Sequence, residues 1–392
     1  MVKHEIPRKL LFLIGVTFLV TMTGNVFAPI LTLYMREVGV TIVEVGLMLA
    51  VPSIVGMTLR IPFGLAADRY GRKTIILIAI VVQFLSTVLL YLVPAPVWFY
   101  PILALRAIPM AAYWSQAVAL ASDMAPEGRR GEVIGQYFLA FGVGWFLGPL
   151  LCSFLTGFMN YGSILLVTLI FPPIGIALFL RGGLGERNKK SFERSEGRRI
   201  LSLNSFKRIL NSKNIRALCI NKFFWGFNMA IFSTLFSIYA QESLFISSSL
   251  ISLLFVARGG VNASIRLPMG RISDKIGRKK PLILAYTLNF LAYFTVSLTG
   301  SYPLLVLAMA AFGIGWGTIA VVSNTLITEN ANPEDGGLVL SITQTVASVG
   351  QLLGSVFAGM ITIAIATSGI FKLSSFLFLI PVLSLILFVR ES

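Results

Sequence analysis

Charged residues make up only 12% of this 392-residue chain, so each one inside an apolar stretch calls for a chemical reason. Three basic side chains sit deep in such stretches: Arg106, Lys222 and Arg258. A cation at the centre of a bilayer costs about 2.5–3.5 kcal/mol on insertion scales, so it normally faces a cavity or a partner. Arg106 and Arg258 are read as lining a substrate cavity. Lys222 lies nearer one end of its stretch, where a cavity role and snorkelling to the surface weigh equally. Arg60 and Arg266, close to polar loops, are read as snorkelling and structural. No Asp or Glu falls near the middle of an apolar stretch; Glu37, Glu44, Asp123, Glu132, Glu242 and Glu329 all stand at ends. A cavity with arginines and no acids attracts anions, and any proton-carrying carboxylate would have to be a peripheral one such as Asp68 or Glu44. The uncharged candidates for the cavity are Asn25, Tyr113, Gln116, Trp225, Asn228, Trp316 and Asn324, each of which also suits plain interhelical hydrogen bonding or packing. The 30 phenylalanines are read as mostly lipid-facing bulk without functional weight.

Other chemistry finds little support. The single histidine is His4, and the two cysteines, Cys152 and Cys219, lie inside apolar runs, so neither a disulfide framework nor a metal site is implied. There is no nucleophile–base pair, no cofactor fingerprint and no phosphate loop of the G-x-x-x-x-G-K-[ST] kind. The expectation is a protein that is not an enzyme, binds no cofactor and draws on an ion gradient. The net charge of +16 does not point to nucleic acid, because the excess is spread over short loops between apolar runs, where it orients a membrane protein.

One loop occurs twice. Gly64-Leu-Ala-Ala-Asp68-Arg69-Tyr-Gly71-Arg72-Lys73 and Gly270-Arg-Ile-Ser-Asp274-Lys275-Ile-Gly277-Arg278-Lys279 both read G-x-x-x-D-[RK]-x-G-[RK]-K. Gly64 and Gly270 allow close helix approach. Asp68 and Asp274 end a helix where a carboxylate binds a helix N-terminus or an arginine. Gly71 and Gly277 permit a tight turn, and the four basic residues after them anchor one membrane face. Further pairs keep nearly the same offset: Arg60-Ile-Pro62 with Arg266-Leu-Pro268, Asp123 with Glu329, Pro126-Glu127 with Pro333-Glu334, and Gly144-x-x-x-Gly148 with Gly350-x-x-x-Gly354. Such agreement indicates an internal duplication.

The elements that must position these residues follow from composition. The chain is 56% hydrophobic with mean hydropathy +0.85, and its apolar runs have the ~20-residue length that crosses a bilayer as a helix. Twelve spans are predicted, over 10–34, 42–63, 74–93, 98–123, 132–157, 162–180, 215–240, 247–269, 281–300, 303–328, 338–363 and 369–389. The first run continues too far to be a cleaved signal peptide. With the N-terminus inside, Arg36 and Lys372 are the only basic residues in outside loops, which places both termini in the cytoplasm. The domains are 1–180, a six-helix bundle; 181–213, a basic cytoplasmic linker with a short surface helix predicted over 202–210; and 214–392, a second, pseudo-symmetric six-helix bundle. The fold class is all-α membrane.

On these residues the chain resembles the major facilitator superfamily over essentially its whole length. The repeated loop is complete in both halves as that family's motif A, which the resemblance implies to be a cytoplasmic gate that latches when the protein faces outward, with Asp123 and Arg129 or Arg130 as its partners. Arg106 stands where motif B carries its arginine, implicated in the family in substrate binding or proton transfer; the usual glycine after it is absent. Gly135, Gly144, Gly148 and Pro149 resemble the helix-five motif of the drug:proton antiporter branch, with Cys152-Ser153 in place of its final glycine pair. Plain G-x-x-x-G packing remains open for the same residues. The implied function is secondary transport in the cell membrane by alternating access, most directly proton-coupled efflux of small amphiphilic or drug-like compounds. The alternatives are movement of an organic anion or metabolite by symport, antiport or uniport, and a non-transporting sensor or scaffold, which would not need an intact gate. The implied partners are a small-molecule substrate, protons and the bilayer, with no nucleic acid, and the default state is a monomer.

Overall fold

A computed structural model describes residues 8–125, 130–183, 212–330 and 336–389, and every element of regular structure there is helical. The principal helices are α1 Arg8–Phe27, α2 Ile42–Tyr70, α3 Arg72–Leu92, α4 Phe99–Asp123, α5 Arg130–Leu155, α6 Tyr161–Arg181, α7 Asn214–Ser243, α8 Ser248–Ile276, α9 Lys279–Leu298, α10 Tyr302–Glu329, α11 Leu338–Ile361 and α12 Thr367–Phe388. Eleven are long and apolar enough to cross a membrane. The exception is α4, formed as predicted but diluted by Pro101, Arg106, Pro109, Ser115 and Gln116. The linker helix predicted over 202–210, together with Arg129 and the side chains of Asp68 and Arg130, lies outside the described residues.

Local chemistry explains the boundaries. Thr41 and Glu44 make a capping box at the start of α2: the Glu44 carboxylate accepts from the Thr41 N–H and hydroxyl, both at 2.8 Å, while Thr41 Oγ1 accepts from the Glu44 N–H at 3.3 Å. Asn160 caps α6 by accepting from Ser163 N–H at 2.8 Å. The first span, expected unbroken over 10–34, stops at Phe27 and restarts as a short helix, Leu31–Glu37. Pro29 is the reason: it lacks an N–H and its ring collides with the preceding turn. Gly71 and Gly277 join the helices on either side of them with φ of 88° and 87°, the left-handed region in which a Cβ is strained.

The chain divides into two compact units, Met1–Gly39 with Ile54–Arg198, and Val40–Ser53 with Arg199–Ser392, so that the boundary passes through α2. The two repeat the same internal pairings. In one, α5 lies along α1 and α3 along α4; in the other, α11 lies along α7 and α9 along α10. Their cores differ in chemistry. The first is aliphatic, with Leu10, Leu13, Val16, Ile76, Ile80 and the small residues Ala112, Ala117 and Ala121 packed on Tyr137 and Phe179. The second is aromatic: the Tyr293 ring meets Phe378 at 5.0 Å, Phe312 at 5.3 Å and Phe371 at 5.8 Å, mostly edge to face. Phenylalanine, read as mostly lipid-facing bulk, also builds these cores. Phe27, Phe99, Phe179, Phe232, Phe236, Phe312, Phe371 and Phe378 are fully buried.

Candidate functional site

The two repeated loops build matching ion pairs. Arg72, the first residue of α3, donates from Nη1 to the carboxylate of Asp123 at the end of α4. In the second unit Arg278 occupies the same place. Its Nη2 donates to Glu329 Oε1 at 2.8 Å and its Nε to the same carboxylate at 3.2 and 3.3 Å, while Nη1 donates to Ser273 Oγ at 2.7 Å and Asp274 Oδ1 at 2.5 Å. The planar guanidinium fork suits this: it grips Glu329 in two places and still reaches the helix that precedes the loop. The hydrogen bond it donates to Glu329, with that to Asp274 adding to it, raises the guanidinium above its already high pKa. Lys279 donates to the carbonyls of Ile386 at 3.1 Å and Val389 at 2.9 Å, a cation at the C-terminus of α12. Arg69 lies over the Tyr70 ring at 5.4 Å, and Lys275 is exposed. A Cβ at Gly64 would meet nothing within 4 Å and one at Gly270 would meet Val321 at 3.7 Å, so neither is pressed by a neighbour.

The helix-five glycines pack α5 on α1. A Cβ at Gly144 would stand 2.8 Å from Thr21 Cβ, and one at Gly148 would stand 2.7 Å from Asn25 Cβ. The same contact recurs on the other side of the duplication, where Gly350 and Gly354 bring α11 against the α7 backbone at Phe223 and Phe227, at 2.2 and 2.3 Å from a built Cβ. Close packing therefore accounts for Gly144 and Gly148 without reference to direction of transport. Gly135 has open space around it, and Pro149 lies inside α5.

The cavity candidates separate into three groups. In the first unit Tyr113 is buried and its hydroxyl shares a 2.8 Å hydrogen bond with Thr17 Oγ1, which ties α4 to α1. Asn25 Nδ2 donates to its own helix at Thr21 O, 2.9 Å. Gln116 Nε2 reaches Ser115 Oγ at 3.4 Å. Arg106 is half-buried, and among the described residues its buried Nη1 has no hydrogen-bond partner.

The second group surrounds Arg258, which is 6% exposed. Its Cζ lies over four rings: Phe255 at 4.6 Å, Phe232 at 4.8 Å, Trp316 at 5.1 Å and Phe312 at 5.7 Å. Helix α10 comes this close to α8 because Gly313 and Gly317 carry no side chain; a Cβ at Gly313 would be 2.5 Å from Arg258 O. The rings' electron-rich faces stabilise the cation where, among the described residues, no carboxylate pairs with it. Among the described residues Arg258 Nε is buried without an acceptor.

The third group is Lys222, Trp225 and Asn324. Lys222 is 3% exposed; its Nζ donates to Asn324 Oδ1 at 2.9 Å and sits 5.6 Å from the Trp225 ring centre. Asn324 in turn donates to Ala320 O at 2.9 Å. Asn228 is fully buried, donates to Phe224 O at 2.9 Å and leaves its Oδ1 unpaired among the described residues. Sequence reasoning missed Phe232, Phe255 and Phe312 as functional neighbours. The i, i+4 spacings of Phe232 with Phe236 and of Phe312 with Trp316 were the available signal. Arg266, read as snorkelling, donates to Asn262 Oδ1 at 2.9 and 3.2 Å on its own helix, and Arg60 is exposed.

Duplicated helical bundles, with buried cations inside them and ion pairs at matching loop ends, define a polytopic membrane transporter. The description of the Major Facilitator Superfamily matches residues 13–244 and 218–392, and the chain belongs to that superfamily. It is thus a multi-pass membrane protein of the cell membrane and a transporter, not an enzyme. An uncharacterised MFS-type transporter of Methanocaldococcus jannaschii is 22% identical over 94% of this chain and 95% of its own length. A multi-drug resistance efflux pump PmrA homolog of Lactococcus lactis is 22% identical over 90% of this chain and 88% of its own. The crystal structure of the nucleoside transporter NupG superposes with a TM-score of 0.81 at 12% identity, covering 98% of this chain and all of that one.

Proposed function

We propose that this protein is a proton-coupled exporter of small amphiphilic or drug-like compounds, with twelve spans including α4, both termini in the cytoplasm, and alternating access as its mechanism. The observation that carries the reading is the pair of matched clasps, Arg72 with Asp123 and Arg278 with Glu329, at equivalent ends of the two repeats. A purely topological loop needs basic residues on that face; it has no use for a carboxylate placed to receive each arginine. Likeness to the PmrA homolog supports export. A second reading, transport of an organic anion, is favoured by Arg258, a buried guanidinium with aromatic rings around it in place of an acid.

Dye accumulation in an efflux-deficient bacterial host, with and without a protonophore, tests the first reading. Wild type is expected to lower dye content, and the protonophore to abolish the difference. Asp123→Asn should slow efflux severalfold with little change in stability, because a solvent-exposed ion pair contributes about 0–1 kcal/mol. Efflux that ignores the protonophore would overturn proton coupling, and an Asp123→Asn protein with wild-type efflux would remove the clasp from the mechanism. Raised uptake of an anionic probe, lost with Arg258, would replace the first reading by the second.

A further inference from the structure

Among the described residues Lys222 is the one buried cation for which protonation can be a variable. Arginine keeps its charge in proteins, whereas a lysine amine can lose its proton when the surroundings do not hold it. The surroundings of Lys222 offer little hold. Among the described residues its hydrogen-bond acceptor is a neutral amide, Asn324 Oδ1, and the Trp225 ring centre lies 5.6 Å away.

The charged and titratable groups on the packed elements confirm the isolation. On α7 itself the described ones are Arg216, Cys219, Tyr239 and Glu242, the last two being at the far end. From α9, Tyr286 donates to the Asn221 carbonyl and Tyr293 to that of Asn228, while Lys279 and Lys280 stand at its start. The α10 carboxylate Glu329 is taken by Arg278, and Tyr302 is at the opposite end. Helix α11 carries no ionisable residue, and α12 only Lys372. On α8 Arg258 lies in its aromatic rings and Arg266 on Asn262, with Arg271, Asp274 and Lys275 at the loop end. No carboxylate is within hydrogen-bonding distance of Lys222 among the described residues.

The partner of Lys222 is mechanically placed. Asn324 follows directly on a π-helical turn, Ile319–Ser323, in α10. Turns of this kind interrupt the regular i to i−4 ladder and concentrate at functional positions. Asn324 accepts from Lys222 with Oδ1 and donates with Nδ2 to Ala320 O inside that turn, so one side chain links the amine to the irregular backbone.

We propose that Lys222 is the proton-exchange site of this transporter, in place of the intramembrane carboxylate that its helices lack. In the step, one N–H bond of the Nζ ammonium breaks, the electron pair stays on nitrogen, and the proton passes to water admitted on one side of the membrane. The reverse step takes a proton from the other side. Loss of charge converts a charge-assisted hydrogen bond to Asn324 into a weaker neutral one, which loosens the clasp on the π turn. The inference rests on the proton-coupled reading above.

Trp225 is a built-in reporter, since a cation near an indole face changes its emission. The test uses the full-length chain in detergent with its other tryptophans replaced by phenylalanine. Emission is expected to follow a one-proton step with pH that vanishes in Lys222→Arg and Lys222→Gln and is displaced in Asn324→Asp, which supplies a carboxylate partner. A wild-type emission flat with pH, or the same step in Lys222→Arg, overturns the assignment; the wild-type result alone decides should the variants fold poorly. In proteoliposomes, ethidium movement driven by a pH gradient should fall about tenfold or more in Lys222→Arg. Gradient-driven movement kept by that variant sinks Lys222 and leaves proton coupling standing. A wild type that moves ethidium without regard to the gradient sinks the coupling reading itself.

Discussion

Gly350→Ala, the addition of one methyl group, is expected to remove most of the folded protein. The new Cβ would stand 2.2 Å from the Phe223 carbonyl oxygen, where ordinary contact begins at 3.4 Å. Neither atom belongs to a side chain that can turn away, so α11 and α7 must move apart along their length. Forcing a methyl group into a filled site costs about 1–3 kcal/mol and sometimes more. The separation also gives up Cα–H···O contacts between the helices, each worth about 0.5–1 kcal/mol. In a bilayer, close packing is the main force joining two apolar helices, because lipid tails are as apolar as the partner. Gly354→Ala, at 2.3 Å from Phe227 O, should behave alike. Gly135→Ala is the control: nothing lies within 4 Å of its Cβ, and alanine is the better helix former by about 1 kcal/mol. Yield of monodisperse protein and thermal midpoint in detergent measure all three. A Gly350→Ala protein with the wild-type midpoint would mean that the two backbones do not touch.

Arg258→Met should act on stability and function in opposite directions. A buried cation without a carboxylate bears a desolvation cost of several kcal/mol, and each ring returns about 0.5–2 kcal/mol of cation–π attraction. Methionine fits among Phe232, Phe255, Phe312 and Trp316 as an apolar side chain with favourable sulfur–ring contacts. Replacing ionic groups by apolar ones of similar volume is often neutral or stabilising by about 1–4 kcal/mol. The thermal midpoint is therefore expected to hold or rise while transport is lost. Arg258→Lys separates charge from shape: it keeps the cation but lacks the planar group that lies over the rings and binds an anion in two places. Transport restored by lysine would show that charge alone suffices. A marked loss of stability in Arg258→Met would mean that the guanidinium is held by partners stronger than rings.

Much of the candidate site was legible before any coordinates. The doubled loop string pointed to Arg72 and Arg278 at equivalent places, and the structure puts each of them on an acid at the end of the following helix pair. Asp123 and Glu329 match across the repeat, and Asp123 is expected as a partner of the first loop; the structure gives it Arg72 of that loop. Which basic residue of the loop reaches it depends on the turn at Gly71, which sets Arg72 at the start of α3 facing α4. Glu44, considered as a peripheral proton site, spends its carboxylate on Thr41 as a helix cap.

The sequence by itself determined what depends on local composition. Apolar runs of bilayer length, basic loops and the repeated string report span positions and the duplication directly, since each is a property of neighbouring residues. The positive-φ turns at Gly71 and Gly277 are of the same kind, and so is the break at Pro29, although the predicted span over 10–34 runs through it. Only the tertiary structure decided what each buried polar group faces. A helical period says which side of a helix a residue occupies but not which helix lies there. Arg258 and Trp316, or Lys222 and Asn324, are far apart in the chain, and nothing near either one names the other. The same limit left open which helix each glycine pair meets. Gly144 and Gly148 read alone suit either a helix-five motif or plain packing; the structure sets them against Thr21 and Asn25 of α1, as Gly350 and Gly354 are set against Phe223 and Phe227 of α7.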